Sequence, residues 1–206
     1  MKSPKNIKIT QMTKKETLVP VEVSARHIHL CREDLEALFG KKYKLKQLKK
    51  LRQGEDFAAE ETVDIEYGEQ EIKGVRIVWP ERPKTQLEIT FSDAYKLKAD
   101  IPVRISGDLN KTPGFRIIGP SGVVVKKEGI IVAKRHLHAS PADAAKLNLK
   151  TGKLVSVCCG GDGEREITFH KVEVRVQEGF KLAMHIDVDE ANACGMKTCG
   201  TGKIIG

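Results

Sequence analysis

The stretch RHLHASPADAAKL, residues 135–147, places two histidines two apart, then Ser-Pro-Ala-Asp, then an alanine-rich run ending in leucine. In an extended segment residues i and i+2 point to the same face. Ser140 suits a helix N-cap, Pro141 the N1 position, and Asp143 the N3 position of a capping box. The stretch therefore predicts a strand ending in polar residues that abuts the start of a short helix. About a hundred residues upstream the phrase returns: VSARHIHL at 23–30 nearly repeats VAKRHLHA at 132–139. Of the six histidines in 206 residues, four (His27, His29, His136 and His138) sit in these two phrases.

The pattern extends to four units. With His29, Glu88, His138 and His185 as zero points, the residues at plus two are Cys31, Thr90, Ser140 and Asp187. Three of these are good N-caps. At plus five stand Asp34, Asp93, Asp143 and Glu190, and at plus nine Leu38, Leu97, Leu147 and Cys194. Gly40, Gly152 and Gly195 supply helix stops. Each unit reads as strand, polar residue, cap and short helix. Capping grammar accounts for the caps, but not for His, Glu, His and His at the zero positions.

Elsewhere short runs rich in Val and Ile dominate, punctuated by Gly, Pro and Asp: LVPVEVSA, TVDIEY, GVRIVW, TQLEITF, IPVRISG, FRIIGP, GVVVKKEGIIVAK, LVSVCC, EITFHKVEVRV and FKLAMHIDV. Many short strands favour a barrel or sandwich. No glycine-rich phosphate loop or dinucleotide fingerprint follows a strand. No apolar run approaches the roughly 20 residues that a membrane helix needs. The basic N-terminus lacks a hydrophobic signal core, and five cysteines are an odd count, so the expectation is an intracellular protein with free thiols.

The net charge of +8 attracts polyanions, coenzymes among them. Its densest stretch, GKKYKLKQLKKLRQG at 40–54, reads either as a solvated helix face or loop, or as a patch for phosphate-bearing ligands. Nucleic-acid binding lacks support, since no set of stacking aromatics interleaves the run.

His27 with His29, and His136 with His138, can each converge on one ion, with Glu88 and His185 at the matching repeat positions. Two or three histidines with a glutamate suit zinc, while iron, cobalt or nickel stay open by ligand type alone. Two or three protein ligands leave open positions, the catalytic pattern. His170 has no such context. Cys158 and Cys159 face opposite ways, Cys194 and Cys199 read as buried packing thiols, and Cys31 reads as a cap before a ligand. Arg82, six residues before Glu88, is a candidate for holding an oxyanion or phosphate.

In VSARHIHL, GVRIVWPERPKTQLEI, PVRISGDLNKTPG, RHLHASPADAAKL and HIDVDEANACG the sequence resembles the phosphate propanoyltransferase family, the PduL-type phosphotransacylases. These phrases spread over about residues 20–196. The resemblance implies a mainly β protein with short helices: two small β-barrel domains capped by α-helices, with a two-zinc active site at their interface. Residues 15–25 plus 134–206 would form one barrel and 26–133 the other, after an extension over 1–14. It implies His27, His29 and Glu88 around a first zinc, and His136, His138 and His185 around a second. Arg82 matches the phosphate-binding arginine of the family, and Ser24, Ala25, Lys49, Arg76 and Asn192 match coenzyme A contacts. The implied reaction exchanges a short acyl group, propanoyl or acetyl, between coenzyme A and phosphate. A homo-oligomer and a downstream acyl kinase are compatible with it; nucleic acid and membrane are not expected partners. Members that enter bacterial microcompartments carry an amphipathic N-terminal helix; KNIKITQMTKKETLVP, residues 5–20, is short, β-branched and ends at Pro20, so a cytoplasmic location is expected. Two rivals remain. A dinuclear zinc hydrolase would use the same ligands to activate water, and a non-enzymatic metal or polyanion-binding module would use the 40–54 run.

Overall fold

The computed structural model describes residues 17–161 and 163–205. The extension expected over 1–14 lies outside the described residues. The chain runs β1 (Thr17–Ser24), β2 (His27–His29), α1 (Arg32–Phe39), β3 (Gln47–Lys50), β4 (Phe57–Tyr67), β5 (Gln70–Trp79), β6 (Gln86–Ile89) and α2 (Phe91–Lys96). It continues through β7 (Val103–Arg104), β8 (Phe115–Ile118), β9 (Val123–Lys126), β10 (Ile130–Ala133), β11 (His136–Ala139) and α3 (Pro141–Leu147). It ends with β12 (Leu154–Cys159), β13 (Ile167–Val176), β14 (Ala183–Asp187), α4 (Val188–Ala193) and β15 (Cys199–Ile205).

Two sheets result. Strands β1, β14, β11, β13, β12 and β15, in that order, close into a barrel. The other sheet is open and curled into a half-barrel, ordered β7-β10-β6-β2-β5-β4-β8-β9, with β3 paired to β4. Each has its own core: Val19, Val21, Leu137, Val157, Val174, Met184 and Ile186 in the barrel, and Ile28, Leu35, Leu38, Ile65, Ile77, Leu87 and Ile117 in the half-barrel. Each such side chain contributes about 2 kcal/mol by leaving water.

The four strand–cap–helix units are present. Ser140 and Asp187 form complete capping boxes with Asp143 and Glu190, and the Thr90 side chain accepts the backbone N–H of Asp93. Cys31 makes no side-chain cap, because a thiol is a weak acceptor. Its N3 acid is used elsewhere, since Asp34 takes a hydrogen bond from Thr85 and an ion pair from Lys126 at 2.8 Å. Helix α3 stops at Asn148 in the left-handed region (φ 51°), ahead of the expected Gly152, because asparagine tolerates that backbone. Among the described residues no helix is long and apolar enough to cross a membrane.

Among the described residues two strands had no counterpart in either the apolar runs or the histidine phrases. β15 contains two glycines and gains its place by pairing with β1 and β12 to close the barrel. β3 lies inside the basic run and is exposed throughout, so the run forms neither a helix face nor a plain loop.

Candidate metal centre and active-site cleft

The alternation of strand side chains assembles the centre. Between His27 and His29, Ile28 is fully buried in the half-barrel core; between His136 and His138, Leu137 does the same in the barrel. Leu87 and Ile89 flank Glu88, and Met184 and Ile186 flank His185, all pointing into the cores. The intervening polar residues face away from those cores. The pairings are equivalent in the two sheets: β2 lies antiparallel to β6 with His27 opposite Glu88, and β11 antiparallel to β14 with His136 opposite His185. Donor atoms of His27, His29 and Glu88 all lie within 4.8 Å of one another, as do those of His136, His138 and His185.

The repeated arginine before each histidine pair has a matching task. Arg26 binds Asp93, the N3 acid of α2, at 2.8 Å, and Arg135 binds Glu190, the N3 acid of α4, at 2.6 Å. Each RHxH phrase thereby anchors the helix that follows the third donor of its own cluster.

Backbone carbonyls set the imidazole tautomers. Nδ1 of His27, His29 and His136 lies 2.9 Å from Ala25 O, 3.0 Å from Val78 O and 2.9 Å from Lys134 O, respectively. A carbonyl only accepts, so each Nδ1 carries the proton and each Nε2 presents a lone pair. Nε2 of His27 and His29 are 3.2 Å apart, and Nε2 of His27 is 3.7 Å from a Glu88 oxygen. Both ring nitrogens of His138 are buried without a hydrogen-bond partner among the described residues. Its ring stacks on Phe180, with centroids 3.9 Å apart.

The protonation states favour cation binding. Burial lowers His29 to about 3, helped by His27 and Arg82; burial and His136 lower His138 to about 2 and His185 to about 3. His136 is lowered as well, again mainly by burial. Burial pushes Glu88 upward, but His27, His29, Ser106 and Arg82 outweigh it and hold the carboxyl at about 2. His29, His136, His138 and His185 are thus held as neutral imidazoles and Glu88 as a carboxylate, the forms that ligate metals. Lone pairs converging at 3.2 Å, and a buried ring with no partner, fit a divalent cation at each cluster.

Both clusters line one cleft of about 900 Å³ between the two sheets. Ser24, Ala25, Lys49, Arg76 and Arg82 line it too; Asn192 does not, lying exposed on α4. Arg82 Nη1 donates to Ser106 Oγ at 3.1 Å, and Nη2 sits 3.1 Å from His29 Nε2. Arg76 donates to the carbonyls of Ala59 and Glu60 at 3.0 and 2.7 Å. Lys49 is exposed on β3.

Several residues in or behind the cleft had no signal in the sequence. Ser106 and Gln86 donate to Glu88 Oε1 at 2.8 and 2.5 Å. Gln53, from the basic run, bridges the sheets through the Lys181 backbone: its Nε2 donates to the carbonyl and its Oε1 accepts the N–H, each at 3.0 Å. Glu22 approaches His185 Nε2 at 3.3 Å. Arg175 enters from β13. Cys194 is buried as expected, but Cys199 is exposed at the cleft because it opens β15 opposite Glu22.

Residues 20–197 match the sequence model of the phosphate propanoyltransferase family. The chain is 47% identical over 190 residues to a phosphate propanoyltransferase of Thermotoga maritima, covering 92% of this chain and 90% of the relative. It is 48% identical over 183 residues to one of Lachnoclostridium phytofermentans, covering 88% and 84%. A third, from Priestia megaterium, is 44% identical over 194 residues, covering 94% and 88%. The chain belongs to the phosphate propanoyltransferase family, a family of acyltransferases.

Proposed function

We propose that the protein is a zinc-dependent phosphate acyltransferase that exchanges a short acyl group, propanoyl or acetyl, between coenzyme A and inorganic phosphate. The observation that carries the reading is the pair of three-donor clusters on two sheets, sharing one cleft with Arg82. His27, His29 and Glu88 would hold one zinc, and His136, His138 and His185 the other. Three donors at each leave positions open for substrate. When bound, zinc supplies Lewis acidity, stabilising negative charge on the departing thiolate sulfur and on substrate oxygens.

The residues supply position and charge. Arg82 holds the phosphate through its planar guanidinium fork. Ser24, Ala25, Lys49 and Arg76 hold coenzyme A in the cleft, with Lys49 meeting phosphate groups from the exposed strand β3 and Asn192 meeting the part of coenzyme A that reaches beyond it. A phosphate oxygen attacks the thioester carbon, the carbon–sulfur bond breaks, and acyl phosphate and coenzyme A thiolate result. Alignment of the two reactants in one cleft is a further source of rate.

Direct transfer is favoured over an acyl-enzyme. Ser24 Oγ is 3.5 Å from His27 Nδ1, but that nitrogen carries the proton directed at Ala25 O and cannot act as base. Ser106 faces Glu88, whose low pKa makes it a poor base. Among the described residues the hydrogen-bond partner of the Cys199 sulfur is the Thr198 hydroxyl, at 4.0 Å, which is no base. The separate cores support two domains, over 15–25 plus 134–206 and over 26–133, in a cytoplasmic enzyme.

The test is incubation of the zinc-loaded protein with propanoyl-CoA, with and without phosphate. Acyl phosphate formed only with phosphate present is expected. Free acid at the same rate in both cases would replace this reading with a hydrolase.

A further inference from the structure

Among the described residues five arginines line the cleft, and their partners divide them. Arg26 and Arg52 face carboxylates, of Asp93 at 2.8 Å and Glu22 at 3.5 Å, and Arg76 is engaged by two carbonyls. Arg82 contacts a hydroxyl and an imidazole, both uncharged. The Arg175 side chain makes no hydrogen bond or ion pair among the described residues, although it is partly buried.

Its placement follows from the sheet. β13 runs parallel to β11 with Arg175 in register with His138, so both side chains rise on one face. Glu173, two residues earlier on that face, is paired with Lys134 at 2.6 Å and does not neutralise Arg175. Burial and the charge of Arg82, in the β5–β6 loop of the half-barrel, both disfavour its cationic form, against weaker help from Glu88 and Glu173. A partly desolvated cation facing another cation is costly unless an anion lies between them.

We propose that Arg175 is a second phosphate-holding residue, gripping from the barrel the same phosphoryl group that Arg82 grips from the half-barrel. The proposal deepens the phosphotransacylase reading and rests on it for the identity of the anion. A tetrahedral oxyanion has enough oxygens for two guanidinium forks, each making charge-assisted bonds. The phosphate then ties the sheets together, and Arg175 acts on the phosphate side of the reaction, leaving coenzyme A to other residues.

The experiment uses the zinc-loaded full chain with Arg175→Ala and Arg175→Lys. Phosphate-dependent thiol release from propanoyl-CoA is measured while each substrate is varied separately. Removing a charge-assisted contact should raise KM for phosphate about tenfold or more, with KM for propanoyl-CoA changed by less than about twofold. Arg175→Lys should fall between, since it keeps charge but loses the fork, and added guanidinium ion should partly rescue Arg175→Ala. In parallel, inorganic phosphate is titrated into wild type and variant by calorimetry without thioester; affinity should drop by a similar factor. Unchanged phosphate affinity, a KM rise confined to propanoyl-CoA, or loss of metal from the variant would each overturn the proposal. If wild type releases no thiol yet phosphate binding still falls in Arg175→Ala, the two-arginine site stands and the phosphotransacylase reading fails.

Discussion

His138→Leu should stabilise the metal-stripped protein. With its pKa at about 2 the ring is neutral at pH 7, carrying one N–H and one lone pair, and both nitrogens are buried without a partner. An unsatisfied buried polar group costs about 1–3 kcal/mol, so the pair costs about 2–6 kcal/mol. Leucine removes that cost while forfeiting the stack on Phe180, about 1 kcal/mol. A net gain of about 1–5 kcal/mol, at about 2–4 °C per kcal/mol for a chain of this length, raises Tm by several degrees or more. The assay is thermal unfolding of chelator-treated wild type and variant, followed by metal reloading and elemental analysis. The variant should melt higher when stripped and rebind one zinc per chain where wild type rebinds two. A stripped variant that melts several degrees lower, as after an ordinary core truncation, or one that still takes up two zincs, would refute the reasoning.

Arg26→Ala should weaken zinc at the His27–His29–Glu88 cluster alone, and Arg135→Ala at the His136–His138–His185 cluster alone, each by about tenfold or more; competition with a chelating dye reads both sites. The metal-stripped protein should lose stability as pH falls. The pKa values of His29, His138 and His185 lie at about 3, 2 and 3, below the ordinary 6.5, so from about pH 6.5 downward the unfolded chain binds protons that the folded chain does not. Glu88, depressed to about 2 from 4.5, adds to the loss below about pH 4.5, and denaturant titrations across pH 4–8 would expose a flat profile if the imidazoles were ordinary. Cys199→Ser should keep kcat within about twofold, because direct transfer needs no thiol; a loss of several orders of magnitude, with acyl groups trapped on wild-type Cys199, would point to a covalent route.

What was legible in the sequence was local. The His-x-His alternation, the caps at Thr90, Ser140 and Asp187, and the acids three residues beyond them are short-range signals, and these elements formed as the residues dictate. Glu88 and His185 could be grouped with the histidine phrases because they occupy the same place in a repeated unit. What escaped was set by pairing between distant segments. β15 is weak on its own, with glycines at 200 and 202, and exists because β1 and β12 flank it. Gln53 reaches Lys181 across 128 positions, and Arg175 owes its place to register with His138. Ser106 follows the same rule, since it meets Glu88 only once the half-barrel curls, whereas Gln86 stands two residues before Glu88 on the same strand and shares its face. The tasks of Arg26 and Arg135 were within reach as a repeated residue, but their acids lie on helices after another strand.

The central claim is that two clusters of three donors each hold a cation and that acyl transfer to phosphate depends on them. The most direct test is elemental analysis of the active protein, repeated on His27→Ala and His136→Ala, alongside phosphate-dependent thiol release from propanoyl-CoA. Two zincs per chain in wild type, one in each variant, and transfer abolished in both are expected. Full transfer by protein that carries no metal would contradict the account.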